Sequence, residues 1–156
     1  MIRRLFLVTL CVIAPLRLSA QGDLSSVSAA AADAWRSHSF GAMVQGGRIQ
    51  VTLPGVAPST PVAPDQAEAL LQSYVRGAVE VEVRVANASQ VGSDAAFVEL
   101  ARRYRQAGSQ EIRSESILLA YRRRPLTPSP EGVTPPSPPS GTGGWVLTEV
   151  RAAGRG

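Results

Sequence analysis

The chain has 156 residues, with 16 arginines and no lysine against 12 acidic residues, and a single cysteine, Cys11. That length suits one domain around one core, and one cysteine excludes an internal disulfide and a thiolate-clamped metal. The net charge of +4 drops to +1 (13 Arg against 12 acids) once Arg3, Arg4 and Arg17 of the first twenty residues are set aside, so the basic balance does not point to nucleic acid.

Residues 1–20 read as a secretory signal peptide: a positive start, MIRR, an apolar run, LFLVTLCVIAPL, and small residues Ser19 and Ala20 before Gln21. The run is short for a bilayer span and Pro15 interrupts it, so no transmembrane anchor is expected after cleavage. Cys11 follows the bulky Leu10, which does not suit a lipid-anchor signal. The mature chain is then an exported protein, periplasmic or secreted, with no cysteine.

Asp23 can cap a helix over about 24–37, with Leu24, Val27, Ala31 and Trp35 at helical spacing. RIQVTL, 48–53, alternates as a half-buried strand and stops at Pro54-Gly55. A second helix starts near Pro64, carries Ala67, Leu70, Leu71 and Tyr74 on one face, and stops near Gly77. VEVEVRVA, 79–86, puts Val79, Val81, Val83 and Val85 on one face, and Glu80, Glu82 and Arg84 on a wet one.

Residues 95–105 fit either a helical stripe (Phe97, Leu100, Ala101, Tyr104) or a strand face (Ala96, Val98, Leu100), and periodicity alone leaves both open. The segment Glu111–Arg123 is apolar on both faces around ILLAY, as in a central strand. Two long segments around the QAGSQ turn favour a hairpin, so both are taken as strands. Residues 125–144 hold seven prolines and four glycines and read as a disordered insertion. A last strand, 144–152, and a tail, 153–156, close a single α+β domain, 21–152.

This order and its punctuation resemble a family of small secreted bacterial proteins, the domain of unknown function numbered 4783. The resemblance rests on AWRSHSF, IQVTLPG, PDQAEALLQSYV and GGWVLTEVRA. It implies a nuclear-transport-factor-2-like or cystatin-like fold: a cone-like curved antiparallel sheet with two N-terminal helices on its concave face. Trp35, Leu71, Tyr74, Phe97 and Tyr121 are the candidates to line a pocket in such a cone.

Catalytic chemistry is sparse. His38 is the only histidine and sits at a helix end, where capping or solvent exposure is the simpler role. Glu99 would face the cone if 95–105 is a strand, and is the candidate base for an alternative reading as an isomerase- or hydrolase-type enzyme. No cofactor motif and no metal-ligand cluster is present: GTGG lies inside the insertion, not between a strand and a helix. Arg102, Arg103 and Arg105, with Arg113 across from them, and Arg122, Arg123 and Arg124 form two clusters at opposite hairpin ends. They read as solvated strand ends, partly neutralised near the turn by Glu111 and Glu115, with anionic envelope polymers as the functional alternative. The preferred expectation is a non-catalytic domain that binds a small apolar ligand or another protein, a second copy of itself included.

Overall fold

The computed structural model describes residues 18–56, 60–124 and 144–154. The elements are α1 (Leu18–Ser37), β1 (Gln50–Thr52), α2 (Pro64–Tyr74), β2 (Ala78–Val91), β3 (Ala95–Gln106), β4 (Ile112–Arg123) and β5 (Trp145–Gly154). This is the expected order. Most of the signal segment, the Pro-rich insertion except Gly144, and residues 155 and 156 lie outside the described residues.

α1 is longer than the spacing of apolar residues suggested. It runs from Leu18, so Asp23 lies inside the helix and is not its cap. Leu24, Val27, Ala31 and Trp35 form the buried stripe, with Ser28 beside them. The helix ends where His38 adopts a left-handed backbone (φ 55°) and the Ser39 N–H reaches back to the Ala34 carbonyl at 3.0 Å. That closes a Schellman-type end, a place where glycine is the usual residue and histidine is strained.

The sheet order is β1-β5-β4-β3-β2. β4 is central, as its two apolar faces suggested, and the segment 95–106 is a strand paired on both sides. The tertiary pairing resolves what periodicity left open there. One expectation changes: β1 runs parallel to β5, so the sheet is mixed and not wholly antiparallel. No tight hairpin joins these two strands, so nothing local imposes an antiparallel direction.

Leu53-Pro54-Gly55-Val56 closes a tight turn after β1: the Val56 N–H bonds the Leu53 carbonyl at 3.1 Å and Gly55 takes φ 75°. Proline then glycine at its centre is the composition a type II turn needs. Pro64 opens α2, and Gln66 Oε1 accepts from the Ala63 N–H at 3.4 Å. Ala67 and Leu71 of α2 join the core; Leu70 and Tyr74 are half-buried at its edge.

The second correction concerns β2. The four valines do not share a buried face: Val83 is buried, Val85 is half-buried, and Val79 and Val81 are 50% and 43% exposed. The register shifts between Glu80 and Glu82, so Val81 is an extra residue in the ladder. Such a bulge swaps the face of every residue before it. Glu80 therefore turns onto the helix-covered face, sharing it with Val83, while Val79 turns out.

Candidate functional site

The helix-covered face of the sheet carries a buried ionic cluster. Its centre is Arg102 of β3, whose side chain is 1% exposed. Alternation along β3 puts it on the same face as the buried Ala96, Val98 and Leu100. Arg102 Nε donates to both oxygens of Glu80, at 3.0 and 2.9 Å, and one terminal nitrogen reaches Glu80 at 2.5 Å. Its other terminal nitrogen donates to Glu115 Oε1 at 2.5 Å. The Tyr74 hydroxyl donates to Glu115 Oε2 at 2.6 Å. His38 Nε2 lies 2.7 Å from Glu80 Oε1, with its side chain 30% exposed. The guanidinium also sits 4.1 Å from the Tyr104 ring centroid and 5.6 Å from that of Trp35.

The partners come from four elements besides β3, which itself supplies Tyr104. Trp35 and His38 stand at the end of α1, Tyr74 at the end of α2, Glu80 at the bulge of β2 and Glu115 near the start of β4. Charges are this deeply buried only when paired, and here each carboxylate oxygen has a donor facing it. Burial alone would pull the Arg102 guanidinium down, but its hydrogen bonds to Glu80 and Glu115 outweigh that and raise it further. Burial, then the hydrogen bond to Glu115, holds the Tyr74 phenol well above its usual range; burial alone does so for Tyr121.

The two tyrosines set an alkaline limit. A phenol raised in the folded state stays protonated after its unfolded counterpart has ionised. The unfolded chain then binds fewer protons, so stability falls as pH rises above about 10. Urea unfolding at pH 8 to 11 checks this: constant stability to pH 9 and a decline beyond pH 10 is the expected result. Tyr74→Phe should flatten the decline.

The proposed pocket residues do not come together as one lining. Trp35, Leu71 and Tyr121 are packed into the core, Tyr74 is half-buried on Glu115, and Phe97 lies on the opposite face of β3, 39% exposed. Glu99 is also on that outer face, between the buried Val98 and Leu100, and accepts from Ser116 Oγ at 2.9 Å. It does not face the interior, and Glu99→Gln is expected to shift stability by no more than about 0.5 kcal/mol in urea unfolding.

Of the arginines, Arg103 pairs with Glu82 at 3.4 Å, Arg105 reaches Gln110 at 3.3 Å and Arg113 lies 3.7 Å from Glu111. Arg122 pairs with Asp94 at 3.4 Å and Arg123 stacks 4.9 Å from the Trp145 centroid. These are partnered strand ends. Arg102, grouped with them by sequence position, belongs to the interior.

Sequence reasoning passed over the cluster, although two of its members had a signal. Arg102 continues the parity of Ala96, Val98 and Leu100, and Glu115 precedes Ile117, Leu119 and Tyr121 on the same parity. Glu80 had none, because the bulge inverts its parity. Among the described residues no His, Cys, Asp and Glu group could hold a metal ion, and no helix is long and apolar enough to cross a membrane. An open apolar depression lies beside α2, lined by Val62, Gln66, Ala69 and Leu70, and the sheet also exposes Val79, Val81, Val91, Phe97 and Ile112.

The chain matches no known family profile, and no curated protein matches it in sequence. Solved structures do match in shape. A ketosteroid isomerase-like protein from Erwinia carotovora atroseptica aligns with a TM-score of 0.65 at 14% identity, over 88% of this chain and 97% of that one. A protein of domain-of-unknown-function family 4783 from Bacteroides ovatus aligns at 0.55 and 11% identity, over 80% and 91%. A protein of unknown function from Prochlorococcus marinus, with the nuclear-transport-factor-2-like fold, aligns at 0.54 and 14%, over 88% and 94%. Two helices against a curved five-stranded mixed sheet, with these neighbours, give the chain the α+β fold common to the ketosteroid isomerase-like, nuclear-transport-factor-2-like and family-4783 proteins.

Proposed function

We propose that this protein is an exported, non-catalytic binding domain working in the periplasm or outside the cell. One observation carries the non-catalytic part: the ionic groups on the helix-covered face are committed to one another. Arg102 holds Glu80 and Glu115, and Tyr74 holds the remaining oxygen of Glu115. A general base needs a lone pair within reach of a substrate proton, whereas each oxygen of these carboxylates already faces a donor and both side chains are buried. Around them Trp35, Phe40, Leu71, Leu119 and Trp145 fill the space between helices and sheet.

Binding then falls to the surface, where the apolar depression of Val62, Ala69 and Leu70 suits a small apolar ligand or an apolar side chain of a protein partner. Native mass spectrometry of the protein purified from its own cell envelope tests this. The expected species begins at Gln21 and carries a non-covalent apolar ligand or partner, which Leu70→Glu strips. An unliganded monomer would overturn the binding reading, and an intact Met1 the export.

A second reading, an isomerase- or hydrolase-type enzyme, is favoured by His38. Its backbone is strained, its ring reaches solvent, and its Nε2 rests on a carboxylate fixed by Arg102. It requires a turnover that His38→Ala and Glu80→Gln abolish and Glu99→Gln leaves unchanged.

A further inference from the structure

We propose that the space between the helices and the sheet is a recognition site for a guanidinium cation, and that its occupant is the chain's own Arg102. The surroundings of this side chain have the parts such a site needs. Aromatic rings stand at 5.6 and 4.1 Å from the guanidinium carbon, one from α1 and one from β3. Rings at such distances attract a cation through their quadrupoles. One edge of the planar group is held by Glu80 through Nε and a terminal nitrogen, and its far nitrogen by Glu115. That fork geometry distinguishes a guanidinium from an ammonium, which is a point donor.

The shell is built from separate elements that converge on one group. Glu115 is itself oriented by Tyr74, and Glu80 is met by His38. The bulge at Val81 belongs to the same construction, because a regular β2 would point Glu80 away. Two carboxylates around one guanidinium leave the shell short of positive charge, so it holds that cation firmly. The occupant is tethered, and the site is closed to outside cations.

The inference shares its residues with the non-catalytic reading but does not depend on whether anything binds α2. Arg102→Ala removes two methylenes and the guanidinium, so the vacated space has the outline of N-ethylguanidinium. The thermal unfolding of R102A is followed with added N-ethylguanidinium chloride, with equimolar ethylammonium chloride and sodium chloride as references. At ten times its dissociation constant the guanidinium is expected to raise the Tm of R102A by roughly 5 °C above either reference. The wild type, already filled, should show no such gain, and neither should E80Q/R102A/E115Q, which lacks the carboxylates.

If R102A does not fold, the double variant E80Q/R102A keeps one buried carboxylate and carries the same comparison. Equal effects of the three salts on the folded variant would overturn the proposal. So would an equal gain in the triple variant, which would mean the cation acts elsewhere. A negative result here leaves the native mass spectrometry untouched. An unliganded wild type there leaves this rescue untouched.

Discussion

Arg102→Met is expected to lower the unfolding free energy by about 3–5 kcal/mol, read from urea unfolding with an unchanged slope. Methionine keeps much of the length and packing of the side chain, so the loss isolates the charge. Glu80 and Glu115 would be left buried without the cation that bonds both. The cost comes from the stranded carboxylates more than from the lost attraction, because a charge in the interior has no water to replace its partner. The variant E80Q/R102M/E115Q removes the stranded charges together and should recover most of the loss. A loss below about 1 kcal/mol in R102M would show that water reaches the carboxylates and that the cluster is not the interior unit described here.

The second large effect is at Trp35. It is fully buried, packs edge-on to Phe40 with centroids 5.1 Å apart, and supports the Arg102 guanidinium. Trp35→Ala is expected to cost about 3–5 kcal/mol, since a cavity is left where α1 meets the sheet. Trp35→Phe should cost much less, below about 1.5 kcal/mol. The reason is specific: the Trp35 indole N–H is buried and meets no hydrogen-bond partner among the described residues, so phenylalanine loses volume but also removes an unsatisfied donor. If Trp35→Phe costs as much as Trp35→Ala, the indole N–H is satisfied by an ordered water, and the balance of volume against polarity assigned here is wrong.

Much of the scaffold could be read along the chain. The alternation of Ala96, Val98 and Leu100, and of Ile117, Leu119 and Tyr121, marks the faces that the sheet buries. The Pro-Gly turn after β1 and Pro64 at the start of α2 are local chemistry, legible because a proline or glycine constrains its own backbone whatever surrounds it. The start of α1 was less legible. Asp23 has the chemistry of a cap, but the residues before it also support helix, so the helix runs through it.

The interior cluster was legible only in part. Extending the parity of β3 one step inward reaches Arg102, and the parity of β4 reaches Glu115. Both were read as surface charges, since charged residues at strand ends are ordinarily solvated. What makes burial tolerable is that each finds the other across the register Arg102↔Glu115, and that pairing exists only once the strands are side by side. Phe97 departs in the opposite direction: it was a candidate to line a pocket in the cone, but its parity sends it to the outer face.

Local sequence, then, settled the element order outside 95–106, the turns and the central place of β4, because these depend on period, backbone restriction and apolar content within a few residues. Tertiary structure decided the direction of β1 beside β5 and the inward turn of Glu80. It also decided the gathering of His38, Tyr74, Glu80, Glu115 and Trp35 around one guanidinium. A one-residue bulge in β2 inverts a face, and whether an extra residue is accommodated depends on the strand across from it. Ion pairs between residues 22 or more positions apart likewise carry no trace in either neighbourhood. They arise from the packing of helices on a sheet whose curvature brings those positions together.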